Sequence, residues 1–160
     1  MARVGASVEG LDELRRTLKR LEDKTQKRVI RAATAKGAQV IAQTAKQNAM
    51  AISANVASAV GVRKLKPLHR FESAHSVNLL SKKAKPVTRE FDASTEWGKR
   101  LARAGYALVA AFFEFGTSKM ERRPLLGDAY ETMKNQAREA INKSLLEGID
   151  KAAREEGVRR

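Results

Sequence analysis

Glu114 sits between Phe113 and Phe115 at the end of an apolar run that begins at Tyr106. A carboxylate in that setting is the first candidate for acid–base chemistry, because a charge among apolar groups must be paired or neutralised. General acid–base catalysis also needs a second group within hydrogen-bond reach of the reacting proton, and no such partner stands beside Glu114. The better use is structural: an ion pair with a basic residue of the loop Lys119–Arg123, or of a neighbouring subunit. His69 and His75 are six residues apart, a spacing that forms no recognisable metal pair. The chain has no Cys, which excludes disulfides and thiolate metal sites and fits a reducing cytosol. Motifs of the G-x-x-x-x-G-K-[ST], G-x-G-x-x-G and G-x-S-x-G types are all missing. The expectation is no catalysis, no cofactor and no metal.

The elements around Glu114 explain its position. Gly116 takes positive φ without steric cost, so the apolar run can reverse there. Pro124 suits the first turn of a helix, where its missing N–H would be unbonded anyway. From there Leu126, Ala129, Met133, Ala137, Ile141, Leu145 and Ile149 continue as one stripe. This predicts a long C-terminal helix over 125–156 that covers a sheet. Tyr106–Phe115 is apolar almost throughout, so periodicity does not separate helix from buried strand. Its alanines and the spacing of Tyr106, Val109 and Phe113 favour a helix; Thr95–Tyr106 before it reads as a short helix or an irregular lead-in, and one helix is expected over 96–114.

Towards the N-terminus, Leu11, Leu14, Leu18 and Leu21 mark a short helix over 10–22. Ile30, Ala33, Gly37, Ile41 and Thr44 mark a second over 24–48, whose small residues permit close packing. Three short strands follow, within 54–62, 73–80 and 86–91, with breaks at Pro67 and in the turn before Pro86. The fold class is α+β: a small antiparallel β-sheet packed against N-terminal helices and one long C-terminal helix, in a single domain over 1–160.

The net charge is +14, and it is unevenly spread. Within residues 63–89, Arg63, Lys64, Lys66, Arg70, Lys82, Lys83, Lys85 and Arg89 face only Glu72, so half the excess lies there. Most of it falls in basic loops over 63–72 and 81–86. Such a field attracts polyanions over about 8 Å at physiological salt; in a solvated loop it serves solubility as well. The one Trp and two Tyr are not interleaved with these residues as stacking platforms would be. The run Tyr106–Phe113 is too short to span a bilayer, and Met1–Ser7 has no apolar segment of the signal-peptide kind. No membrane partner is expected.

Tyr106, the box Glu114-Phe115-Gly116-Thr117, and Pro124-Leu125-Leu126 with Ala129 resemble the gene-ten-like family of minor tail, tail-completion and head–tail connector proteins of long-tailed bacteriophages. The opening Gly10-Leu11-Asp12-Glu13-Leu14 and its basic, alanine-rich helix are similar to that family's start. The likeness covers residues 10–48 and 106–147. Ser53–Leu80 carries only loose echoes of the family's T-G-x-L-x-x-S-I segment, and Gly127-Asp128 stand where Arg-Pro is usual.

The resemblance implies a structural virion protein of the neck or tail, made in the bacterial host cytoplasm. It would form a homo-oligomeric ring, meet head-completion, tail-terminator or tail-tube proteins, and touch genomic DNA in the channel non-specifically. The implied subunit interface is Phe113, Glu114, Phe115, Gly116, Thr117, Lys119, Arg122, Arg123 and Pro124. In it Gly116 acts as hinge, Phe113 and Phe115 as anchors, and Arg122 and Arg123 as charged contacts. The eight basic residues of 63–89 would face the DNA. On charge alone the alternative is a basic, non-specific nucleic-acid-binding protein. A toxin-like ribonuclease would need a catalytic His or paired acids converging on the basic surface, and no such arrangement is legible.

Overall fold

The computed structural model describes residues 23–66, 73–80 and 94–155, with Arg16 and Pro86 as isolated positions. The expected helix over 10–22 and strand over 86–91 lie outside the described residues, apart from those two positions. The described elements run α1 (Asp23–Met50), α2 (Ala54–Ser58), β1 (Val60–Lys64), β2 (His75–Leu79), α3 (Glu96–Ala104), α4 (Tyr106–Phe115) and α5 (Leu125–Glu155).

Two long helices carry the architecture. On α1 the buried residues are Val29, Ala33, Gly37, Ala38, Ala42, Ala45 and Ala49. All but Val29 are alanine or glycine, which lets a second helix approach closely. The partner is α5, laid antiparallel along it. Contacts at both ends fix that direction: Arg28 pairs with Glu155 at 2.7 Å, and Asn48 Nδ2 donates to the Leu125 carbonyl at 3.4 Å. Between these ends the helices touch backbone to side chain. A Cβ on Gly37 would lie 2.5 Å from Ile141 Cγ1, and one on Gly148 would lie 2.8 Å from Val29 Cγ1. Each helix thus offers a glycine to a branched side chain of the other.

This corrects the expected layering. The C-terminal helix was to cover the sheet, but its extensive contact is with α1, and α1 is the element packed on β1 and β2. The reason lies in the small-residue stripe of α1, which seats a long helix more closely than a pleated sheet of mixed side chains can. The buried positions also sit one residue off the predicted stripe in places: Val29, Ala42 and Ala45 are buried, whereas Ile30, Ile41 and Thr44 are half-buried.

The sheet has two described strands, paired antiparallel from Val60↔Leu79 to Lys64↔His75. Flanking bonds extend the ladder, with Leu65 N–H donating to the Ala74 carbonyl and Leu80 N–H to that of Ala59. The first strand begins later than its range of 54–62. Ser53 Oγ accepts the Val56 N–H at 3.2 Å and caps the short helix α2 instead, the usual use of a serine at that position. The single helix expected over 96–114 is two. Gly105, at φ 54° and ψ −144°, ends α3 and starts α4, a backbone shape outside the helical region that glycine reaches at low cost. Tyr106–Phe115 is helical, as its alanines favoured.

The main core gathers Ala45 and Ala49 of α1, Val56 and Ala57 of α2, Val60 of β1, Ala107 and Ala110 of α4, and Leu125 and Ala129 of α5. A smaller cluster of Val29, Ile149 and Ala152, with Leu145 against it, closes the far end of the helix pair.

Candidate functional site

The last residues of α4, the turn after it and the first turn of α5 form one unit. An α-helix leaves its first amides without intrahelical partners, and α5 begins at Leu125 with three of them aimed at one side chain. Glu114 Oε2 accepts the N–H of Leu125 at 2.6 Å and of Leu126 at 2.8 Å. Glu114 Oε1 accepts the N–H of Gly127 at 3.2 Å. The carboxylate is buried, and it sits where the helix dipole favours negative charge. The expected ion pair with the Lys119–Arg123 loop is therefore replaced by a cap. Backbone amides satisfy the charge where it is buried, while the basic side chains stay in water.

That cap fixes the segment between. Gly116 N–H donates to the Phe112 carbonyl at 2.8 Å, and the Arg123 N–H returns to that of Phe113 at 2.6 Å. Gly116 has φ 76° and ψ 178°, the positive φ its position called for. Thr117 and Met120 pair as an isolated antiparallel bridge with N–H···O distances of 2.9 and 3.3 Å. Lys119 N–H also reaches Thr117 Oγ1 at 3.2 Å.

The predicted interface residues are thereby drawn together, yet they divide by exposure. Phe113 packs against the main core, and Glu114 is inside. Phe115 is 79% exposed, and Thr117, Lys119, Arg122 and Arg123 are exposed around it. Pro124 is half-buried just before α5. Of the two aromatics expected as anchors, one belongs to the fold and one to the surface.

The sequence reading gave Trp97 no role. Thr95 Oγ1 accepts the Gly98 N–H at 3.0 Å and caps α3. The indole then lies on Phe112, with ring centroids 5.5 Å apart and planes 20° from parallel. Trp97 remains 51% exposed, and Phe112 is three residues before Phe115, so the aromatic surface continues from the turn onto α3. No local pattern in the sequence marks the contact of Trp97 with a residue fifteen positions later.

Of the residues expected to face DNA, Arg63, Lys64 and Lys66 lie exposed at and just beyond the end of β1. Arg70, Lys82, Lys83, Lys85 and Arg89 fall outside the described residues. Among the described residues no group of three or more His, Cys, Asp or Glu could hold a metal ion. No helix among them is long and apolar enough to cross a membrane.

The pinned turn thus leaves the Phe115 ring and the side chains of Lys119, Arg122 and Arg123 exposed together. The chain belongs to the family described as "Bacteriophage HK97-gp10, putative tail-component", which matches residues 12–116. Membership places it among the structural components of phage tails, and so with the virion. The match runs through the middle of the chain, where Ser53–Leu80 carries only loose echoes of the family's segment, and it stops at Gly116. No curated protein and no solved structure matches the chain.

Proposed function

We propose that this chain is a structural subunit of the phage head–tail junction, acting in tail completion or head–tail joining. Its subunits meet in a ring, and the ring touches channel DNA non-specifically. The observation that carries this reading is the turn held by Glu114: three amide bonds and the return bond from Arg123 present Phe115 and its basic neighbours on a rigid base. In a closed ring one patch of each subunit meets a different patch of the next. Phe115, Arg122 and Arg123 are of the types that dominate such contacts. The partners above and below the ring are head-completion, tail-terminator or tail-tube proteins.

A map of the assembled particle, with the mass of the purified chain in solution, tests the reading. The expected result is a ring at the neck with Thr117–Arg123 of each subunit against its neighbour. A protein that is monomeric and absent from finished particles would overturn it. The exposed Arg63, Lys64 and Lys66 favour a second reading, a free nucleic-acid-binding protein. A monomer or dimer that holds duplex DNA tightly at physiological salt would decide for that one.

A further inference from the structure

We propose that Arg31, Lys64 and His75, with the hydroxyls of Thr34 and Ser73, form a binding site for the phosphates of a polynucleotide backbone. This rests on the DNA-contact part of the function above and gives that contact a location.

The cluster is built where α1 passes the Lys64–His75 end of the sheet. His75 begins β2 directly across from Lys64, the last residue of β1. Thr34, one turn beyond Arg31 on α1, lies with Oγ1 3.1 Å from His75 Nδ1 and 3.1 Å from Ser73 Oγ. The same oxygen is 3.0 Å from the Ile30 carbonyl and 3.2 Å from that of Arg31. Carbonyls only accept, so the single Thr34 proton goes to them. Its oxygen then accepts from the Ser73 hydroxyl and from His75 Nδ1–H. This arrangement satisfies all four contacts and leaves Nε2 as the nitrogen that gains a proton when the ring becomes charged.

Among the described residues, the charged groups that bear on His75 are Lys64 of β1 and Arg31 of α1. Partial burial first, and these two cations second, hold its pKa below the ordinary imidazole value. Two exposed cations beside the imidazole make a place where an anion is favoured, and protonation of Nε2 would add a third positive group. A phosphate there would neutralise Arg31 and Lys64 and give the Nε2 proton an acceptor. Sign and direction follow: a bound anion raises the His75 pKa, so binding takes up a proton and tightens as pH falls.

The surroundings favour a linear polyanion over a single carboxylate. Lys24, Arg28 and Arg31 recur at helical spacing on α1, Arg28 being shared with Glu155, and Arg63 and Lys66 flank Lys64. A row of cations suits a nucleic-acid strand, which carries a charge about every 3.4 Å.

The test uses the full chain with H69Q, which leaves His75 as the one histidine to follow by proton NMR. A short duplex is added at low salt. The expected result is a rise of about one unit in the His75 pKa and tighter duplex binding at lower pH. R31Q/K64Q, at two exposed positions, should abolish the rise and reduce the slope of log affinity against log salt by about two. K66Q should reduce the slope by about one and leave the His75 shift in place. Duplex binding with His75 unmoved would overturn the site while leaving DNA contact elsewhere in the ring. A shift caused by hexaglutamate but not by duplex would overturn it in favour of an acidic protein partner. No duplex binding even at low salt would overturn both the site and the DNA contact, and ring assembly would stand or fall on its own map.

Discussion

Glu114 is the residue on which the turn after α4 depends, because its two oxygens are the partners of three amides at the start of α5. Glu114→Ala leaves those donors without their acceptor, one of them on the buried Leu125. Charged-group hydrogen bonds of this kind predict a loss of about 2 kcal/mol, read as a fall of about 4–8 °C in Tm for a chain of this size. Glu114→Gln keeps one carbonyl oxygen and should lose about half as much. A thermal melt in which both variants match the native chain would remove the cap from the account. Gly116 tests the same turn through its backbone. At φ 76° a Cβ would stand 3.1 Å from both Arg122 N and the Met120 carbonyl oxygen, in a region of φ/ψ nearly closed to other residues. Gly116→Ala should cost about 1–3 kcal/mol, and Gly116→Val should cost more and hinder assembly. If Gly116→Val particles join heads to tails normally, the shape of the turn is irrelevant to docking.

At the scale of elements, the closest approach is the crossing of α1 and α5 at Gly37 and Ile141. A Cβ at Gly37 would also be 3.1 Å from the Ala137 carbonyl oxygen, so the helices must part to admit it. Gly37→Ala should therefore destabilise by about 1–3 kcal/mol, although alanine is the better helix former. Ile141→Ala removes the side chain that is struck. In a double-mutant cycle by urea denaturation, the pair should cost less than the sum of the single changes. Additive losses would place the clash elsewhere. These same elements show what a sequence discloses. The stripe on α5 was legible because Ala129, Ala137 and Ile149 keep their helical spacing over many turns. Gly116 and Pro124 were legible because few residues suit a reversal and a helix start. The division of α3 from α4 was not, since nothing in the residues around Gly105 marks the φ of 54° and ψ of −144° that make the break. A strand was expected within 54–62, but the Ser53 cap turned the first half of that range into a helix. Which element would cover the sheet depended on Gly37 meeting Ile141, a contact between residues more than a hundred positions apart that no local pattern announces. Glu114 was recognised as a group needing a partner, and the partner was missed because backbone amides leave no mark in side-chain spacing.

For the whole molecule, the question is what a surface of this charge and shape leaves for a neighbour to hold. In the proposed ring, repulsion among subunits of +14 would oppose closure, and salt or channel DNA would relieve it. A contact that closed the proposed ring would therefore draw on apolar area; among the described residues Phe115 and the Trp97–Phe112 stack offer some of it, and Met50, Leu65, Tyr130 and Leu146 are exposed as well. Phe115→Asp separates folding from assembly at that point. The side chain is 79% exposed, so the isolated variant should unfold within about 0.5 kcal/mol of the native chain. In a ring, the same aspartate would be buried against a neighbour's surface without a designed partner, a penalty of several kcal/mol repeated at every interface. Sedimentation should show the variant as single subunits at concentrations where the native chain forms rings, with unchanged melting of the subunit itself. A variant that closes rings as readily as the native chain would move the docking contact away from the turn, leaving the Glu114 cap as a feature of the fold alone.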